Sequence, residues 1–298
     1  LLYGLLGVIG AGHSTLTYAR AVSGWFDARR GLALGITLAG IGIGAALVPK
    51  YTQYFVAASG WRGAYFALGA LLFVVGLPAV AVLVRDRGAG AEGLRGEAGL
   101  TLRQTLRTRQ FYLTAGAVMI VAAAVNGTIA HVVPILSDRG VAADTATTAV
   151  AAAGLSLIVG RMLSGFALDR FLAAHVAAFF FTVPLFGMAM LGAGLSGPWA
   201  VPAAVLLGLG IGAEGDIMAY LTSRYFGMAH FGVIYGCILA FFTLGSGVGP
   251  WIMAHAFDSW HSYIPGLTGL GAATVCAAAM IATLGPYRYP PPRGSGFP

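Results

Sequence analysis

Residues 10 to 26, GAGHSTLTYARAVSGWF, can be laid over residues 210 to 226, GIGAEGDIMAYLTSRYF, with Gly10 on Gly210, Gly12 on Gly212, Trp25 on Tyr225 and Phe26 on Phe226. With one residue inserted, the correspondence continues through Gly35 on Gly236, Ala39 on Ala240, Gly44 on Gly245 and Pro49 on Pro250. A single glycine identity means little in a chain with 45 glycines, but an ordered series across two apolar segments and the loop between them points to duplicated halves. Paired repeats of membrane helices with a site between them are a transporter architecture.

Composition supports the membrane reading. The chain is 58% hydrophobic and 9% charged, outside the range of soluble globular domains. A bilayer-spanning helix takes about 20 apolar residues, and such runs follow one another here, separated by short polar loops. The sequence predicts an all-α polytopic membrane protein with helices over 1–24, 32–57, 62–84, 111–136, 146–168, 174–194, 199–222, 229–256 and 263–285. Leu1 stands inside an apolar run, and nine is an odd count for two equal halves, so the chain is expected to be a fragment whose first three helices precede Leu1. Cys237 and Cys276 fall inside predicted helices, where they read as small packing residues rather than a disulfide.

Orientation follows from the positive residues of the loops. One face collects Arg29, Arg30, Arg85, Arg87, Arg95, Arg103, Arg107, Arg109, Arg170, Arg224, Arg288 and Arg293, while the other has Arg62 and Arg139. Positive residues are retained in the cytoplasm, so the arginine-rich face, with the C-terminus, is expected there. The formal charge of +7 is spread over these loops rather than gathered on one folded surface, which argues against nucleic acid as a partner. Residues 85 to 110, RDRGAGAEGLRGEAGLTLRQTLRTRQ, read as a linker, with Leu100 to Arg109 expected to form a short amphipathic helix.

WFDARRGLALGITLAG, at 25 to 40, resembles the loop and following helix shared by monocarboxylate porters and oxalate/formate antiporters of the major facilitator superfamily. Two further stretches agree: His131-Val132-Val133-Pro134 with Asp138-Arg139-Gly140, and Gly160-Arg161-Met162-Leu163-Ser164-Gly165 ending in Asp169-Arg170. The resemblance covers essentially the whole chain as helices four to twelve of twelve. It implies that 1–84 is the remainder of an N-terminal six-helix bundle, 85–110 a cytoplasmic linker, 111–286 a C-terminal six-helix bundle and 287–298 a cytoplasmic tail. It further implies alternating access, with small organic anions carried with protons or in exchange for a counter-anion, and no enzymatic activity. The expected setting is the bilayer of a plasma membrane, such as the bacterial inner membrane, and the expected state a monomer.

Ionisable residues inside apolar spans are the candidate site, because a charge at mid-membrane costs from about 2.5 kcal/mol upward and faces a cavity or a partner. Arg161 is the first choice for binding a substrate carboxylate. Its guanidinium stays charged and offers planar donors, and the family resemblance places an anion-binding arginine at the same Gly-Arg position. The alternative is an ion pair with Glu214 or Asp216 that holds two helices together. Some relatives carry an acid one turn before this arginine, where this chain has Leu157, so any proton-coupling acid must come from elsewhere. Glu214 and Asp216 are the candidates, about 200° apart on their helix and therefore not facing one cavity together. Asp216, Tyr220 and Ser223 form the more continuous polar stripe.

His13, with Thr17 and Arg20 at helical spacing, faces either the transport path or another helix. Asn126 and His131 share the outer half of one helix as possible substrate contacts, with hydrogen bonding between helices as the alternative. Lys50, beside Tyr51 and Tyr54, reads as an outer-interface anchor, with an anion-attracting role at the entrance as the alternative. Gly165, Asp169 and Arg170 match the start of the superfamily's cytoplasmic loop signature. Its basic continuation is replaced by Phe171-Leu172-Ala173-Ala174-His175. Asp169 is expected to meet Arg29, Arg30 and the helix start at Gly31 when the cytoplasmic side is closed.

Other classes fare worse. Gly194-Leu195-Ser196-Gly197 superficially matches an intramembrane serine protease, but Pro198 follows and the serine falls at a predicted turn. Neither a His-Glu-x-x-His metal motif nor a phosphate-binding Gly-x-x-x-x-Gly-Lys-Ser/Thr is present, so no metal or other cofactor is expected. An exporter of hydrophobic or drug-like compounds and a non-transporting sensor remain as further alternatives.

Overall fold

The computed structural model describes residues 30–83 and 98–289. The predicted first helix with His13, and the loop residue Arg29, lie outside them. Contacts divide the chain into two compact units, Leu1–Gly93 and Leu94–Pro298.

In the first unit, α1 (Arg30–Leu71) consists of two helical arms that meet at Gly60, whose φ of 70° and ψ of −179° leave the helical region. The Tyr51 hydroxyl donates to the Ala67 carbonyl at 3.1 Å, whereas a straight helix would hold those residues about 24 Å apart. The chain therefore doubles back at Gly60, and the predicted turn between 57 and 62 narrows to a single residue that glycine alone adopts without strain. A π-turn, Leu72–Gly76, leads into α2 (Leu77–Leu83). The widening falls where Pro78 has no N–H to continue the ladder, and the Leu77 N–H bonds back to Leu72 instead.

The second unit begins with one helical turn, α3 (Leu102–Thr105). It is closed by a reciprocal cap in which Gln104 N–H donates to Thr101 Oγ1 and Thr101 N–H to Gln104 Oε1 at 2.9 Å. Thr108 then caps a new helix, so the amphipathic segment expected over Leu100 to Arg109 is shorter than its apolar pattern suggests. Six long helices follow: α4 (Arg109–Asp138), α5 (Ala143–Leu168), α6 (Ala173–Gly192), α7 (Ala200–Phe226), α8 (Phe231–Trp260) and α9 (Ile264–Ala282). Seven helices among the described residues are long and apolar enough to cross a membrane.

Close approach between helices, rather than large side chains, organises this unit. An added Cβ at Gly208 or Gly212 of α7 would strike the backbone of α5 at Ala153 or Leu157, and one at Gly160 of α5 would strike Leu209. A second crossing sets Gly245 and Gly249 of α8 against Met119 and Ala123 of α4. In lipid, where apolar burial gives helices little reason to associate, such small-residue contacts supply the packing energy. Toward the end away from the arginine-rich face, Val132, Ile135 and Leu136 of α4 join Met188, Leu191 and Leu207 in the core. There Arg139 ties the α4–α5 turn to α6 by donating to the Leu191 carbonyl at 2.6 Å.

At the arginine-rich end, two segments distant in sequence close over α7. Gly99 and Gly227 form an isolated antiparallel bridge in which Leu100 N–H donates to Phe226 O at 2.8 Å and Met228 N–H to Ala98 O at 3.2 Å. The segment after α9 returns across the same place: Tyr289 N–H donates to Arg224 O at 2.9 Å, and the Tyr225 hydroxyl to Gly285 O at 2.6 Å. Tyr287 accepts from Ala173 N–H at 2.6 Å, and the pKa of its half-buried phenol is pushed up to about 12 by partial desolvation. Gly227 stands at φ 80°, with no room for a Cβ against Ala98 and Gly99. Gly227→Ala is expected to cost about 1 to 3 kcal/mol and to release the 98–100 strap, read as faster proteolytic cleavage there.

Candidate functional site

The α5–α7 crossing holds the candidate site. Because Gly212 and Gly215 carry no side chains, α7 leaves room beside α5 for the arginine one turn beyond Leu157. The Arg161 Nε–H points between two acceptors of α7, the Gly212 carbonyl at 3.4 Å and Asp216 Oδ2 at 3.5 Å. A Cβ at Gly215 would stand 3.4 Å from Arg161 Nη2. Arg161 is 9% exposed and the Asp216 side chain 23%, so the pair is largely withdrawn but reachable from the acid's side. Buried Tyr235 of α8 lies within electrostatic range of both charges. One turn back, the Ser156 hydroxyl sits 3.0 Å from Val205 O and 2.9 Å from Ala153 O, a further polar tie across the crossing.

Glu214 faces away. It is 5% exposed, and among the described residues neither carboxyl oxygen has a hydrogen-bond partner. The 200° separation expected from helical periodicity thus assigns the two acids to different surroundings: Asp216 to Arg161, Glu214 to the packed interior.

The remaining candidates are spread over the unit. Asn126 donates to Ala122 O and His131 Nδ1 lies against Gly127 O, each at 2.9 Å, so both are turned to carbonyls of their own helix. The His131 ring also packs on Tyr263, at 5.6 Å between centroids. Tyr220 continues the stripe from Asp216 but is drawn to the arginine-rich end, under the Arg224 guanidinium at 4.9 Å and edge-on to Tyr287. Asp169 is the C-cap of α5. Burial raises its pKa, and Arg224 lowers it again in part. Arg170 lies over the Phe166 ring at 4.1 Å, and a Cβ at Gly165 would meet nothing within 4 Å. Arg30 begins α1, but its side chain, like that of Lys50, lies outside what the structure describes, as do the surroundings of Gly31.

Sequence reasoning did not foresee Arg224 beside Asp169 or the tyrosines that close over α7. A signal was available: Arg224 follows the stripe of Asp216, Tyr220 and Ser223 by one position, and the tail GPYRYP brings two tyrosines just after the last span. Ser196 stands before the 3-10 turn Gly197–Trp199, between two glycines of positive φ, at the turn expected of it. Two hollows, of about 450 and 260 Å³, are open and apolar. They are lined by Tyr65, Phe66 and Phe73 in one case and by Trp251, His255 and Trp260 in the other, and neither lining includes Arg161 or Asp216.

Comparison with known proteins agrees with this architecture. Monocarboxylate transporter 12-B of Danio rerio is 23% identical over 329 residues, covering 97% of this chain and 68% of that protein. The riboflavin transporter RibJ of Trypanosoma brucei brucei is 40% identical over 85 residues, 28% of this chain and 15% of that protein. The chain thus spans between a small part and about two thirds of these relatives. Among solved structures, the fucose:proton symporter FucP of E. coli superposes with a TM-score of 0.62 at 11% identity, over 91% of this chain and 73% of that one, a likeness of fold. The family model described as Major Facilitator Superfamily matches residues 1–250. With that match over most of its length, the chain belongs to the major facilitator superfamily, a family of membrane transporters rather than enzymes.

Proposed function

We propose that the chain is part of a secondary transporter of small organic anions, monocarboxylates or dicarboxylates, working by alternating access with protons or a counter-anion. The observation that carries this is the Arg161–Asp216 pair, a guanidinium held at a glycine-lined helix crossing with its acid partner the more exposed of the two. A substrate carboxylate competes with Asp216 for Arg161 and offers the planar, bidentate match that a side-on Nε contact lacks. Displaced from its cation inside a membrane, Asp216 is stabilised by taking up a proton, so arrival of substrate and of a proton favour each other. This supplies from α7 the acid that Leu157 does not supply on α5.

His13, Asn126, His131 and Tyr220 are proposed as secondary contacts that become relevant when the path opens. Residues 1–84 and 111–286 act as the two bundles, with 85–110 linking them and the arginine-rich face and tail in the cytoplasm of the host cell. Asp169, with Gly165 and Arg170, meets Arg29 and Arg30 in the inward-closed state, exchanging its present neighbour Arg224 for them. Cysteines at 30 and 169 should then crosslink only when that side is closed.

The test is uptake of a labelled carboxylate panel into proteoliposomes holding the full-length protein, with and without an imposed pH gradient. At least one carboxylate should accumulate, and Arg161→Lys should lose most of that uptake, because a point ammonium cannot replace the planar fork. Wild-type affinity and rate in the mutant would remove Arg161 from the site. Uptake of drug-like compounds and of no carboxylate would favour the exporter reading.

A further inference from the structure

Glu214 is left over by the exchange at Arg161. It is an acid in the middle of a membrane span, 5% exposed, with both oxygens lacking a donor among the described residues. Its position follows from the register of α6 on α7. Gly187 packs on Ala203 and Leu207, and Gly210 packs on Pro184, so the two helices run antiparallel. One turn further along α7 from Gly210 is Glu214, and one turn back along α6 from Pro184 is buried Phe180. In an uninterrupted helix the Phe180 carbonyl would accept from the N–H at 184, but proline has none to give. An acid and a carbonyl deprived of its usual donor therefore come to the same level of one seam.

Charged groups around the seam are turned elsewhere. On α5, Arg161 faces Asp216, and on α8, Tyr235 faces that same pair. Elsewhere on α8, Cys237 lies two turns or more from the mid-span level, while His255 and Asp258 belong to its far end. On α6, the titratable residue is exposed His175 at the first turn. On α4, Arg109 and Tyr112 lie near one end, and His131 and Asp138 near the other.

We infer that Glu214 is a proton-binding site of the α6–α7 seam, distinct from the Arg161–Asp216 pair, whose protonated carboxyl has the Phe180 carbonyl as its acceptor and fastens α6 to α7. The proton enters and leaves through water admitted when the seam parts. Loss of the proton leaves a carboxylate without a donor and drives the helices apart. A second protonation step is thereby tied to helix movement instead of substrate contact. It rests on the transport reading only for its part in coupling.

Infrared spectroscopy of the reconstituted full-length protein, titrated with pH, tests it without any substrate. A carboxylic-acid carbonyl band should be present, vanish as pH rises, be lost in Glu214→Gln, move in Glu214→Asp and persist in Asp216→Asn. No band sensitive to Glu214, a band that never titrates, or one abolished by Asp216→Asn would overturn the proposal, the last by making the two acids one site. If Glu214→Gln does not fold, the shift in Glu214→Asp makes the same assignment. For any carboxylate that moves, uptake driven by a pH gradient should be lost in Glu214→Gln, and its survival would reduce Glu214 to a packing residue. A panel in which nothing moves would defeat the transport reading while the infrared result still decides for or against the proton site.

Discussion

Arg161→Met alone is expected to lower the unfolding free energy in detergent by about 3 kcal/mol or more, while the double variant Arg161→Met with Asp216→Leu recovers most of that loss. The asymmetry comes from what each change leaves behind. Removing the guanidinium leaves Asp216 in a membrane span without its cation partner, and the nearby Gly212 carbonyl cannot donate to it. Removing both charges leaves an apolar crossing of the kind that surrounds them. Asp216 is partly exposed, which lets water soften the single loss and places it toward the lower part of the range usual for buried pairs. A double-mutant cycle read by chemical unfolding measures the coupling. Additive losses would mean that the pair is not an energetic unit, and the exchange of Asp216 for substrate at Arg161 would lose its basis.

Gly212→Val should be nearly as damaging for a different reason. A side chain at 212 meets the Leu157 carbonyl, and its Cβ would stand 2.9 Å from the Arg161 backbone nitrogen, so main chain rather than a flexible side-chain tip must give way. Overpacking of this kind costs about 1 to 3 kcal/mol. Here the crossing also sets the 3.4 and 3.5 Å contacts of Arg161, so uptake should fail even in protein that remains folded. Gly154→Ala on α5 is the control, since nothing lies within 4 Å of an added Cβ there. Its helix gains up to about 1 kcal/mol in propensity, and stability should be unchanged or slightly higher. Equal losses from both substitutions would show that helix flexibility, not the tight crossing, is what the glycines provide.

How far the sequence could be read depended on the range of the interaction involved. Apolar runs bounded by Thr108, Asp169, Gly227 and His261 foretold α4 to α8 to within a few residues, because each span is decided by its own residues meeting lipid. The later stretch of the proposed repeat is α7, the loop 227–230 and α8, while residues 10–29 of the earlier stretch lie outside the described residues. Boundaries missed where a neighbour intervenes: α7 runs four residues past 222 because Ser223 and Arg224 find partners in their own turn and the tail, and α9 stops at Ala282 where the chain folds back over α7. The opposed directions of Glu214 and Asp216 follow from helical geometry alone. Which of them meets Arg161 depends on the register between α5 and α7, and that register is written in Gly160, Gly208 and Gly212, residues too common here to be singled out beforehand.

The two straps at the arginine-rich end make the site helix mechanically addressable from outside the bilayer. Carbonyls at the end of α7 bond to the segment before α3 at Leu100 and to the segment after α9 at Tyr289, so α7 cannot slide along its axis without hauling on both. Displacement of the helix that carries Asp216 and Glu214 is thus converted into displacement of two peptides beyond its end. A probe attached at Thr101 would sense what happens a dozen or so residues deep in the membrane while touching none of it.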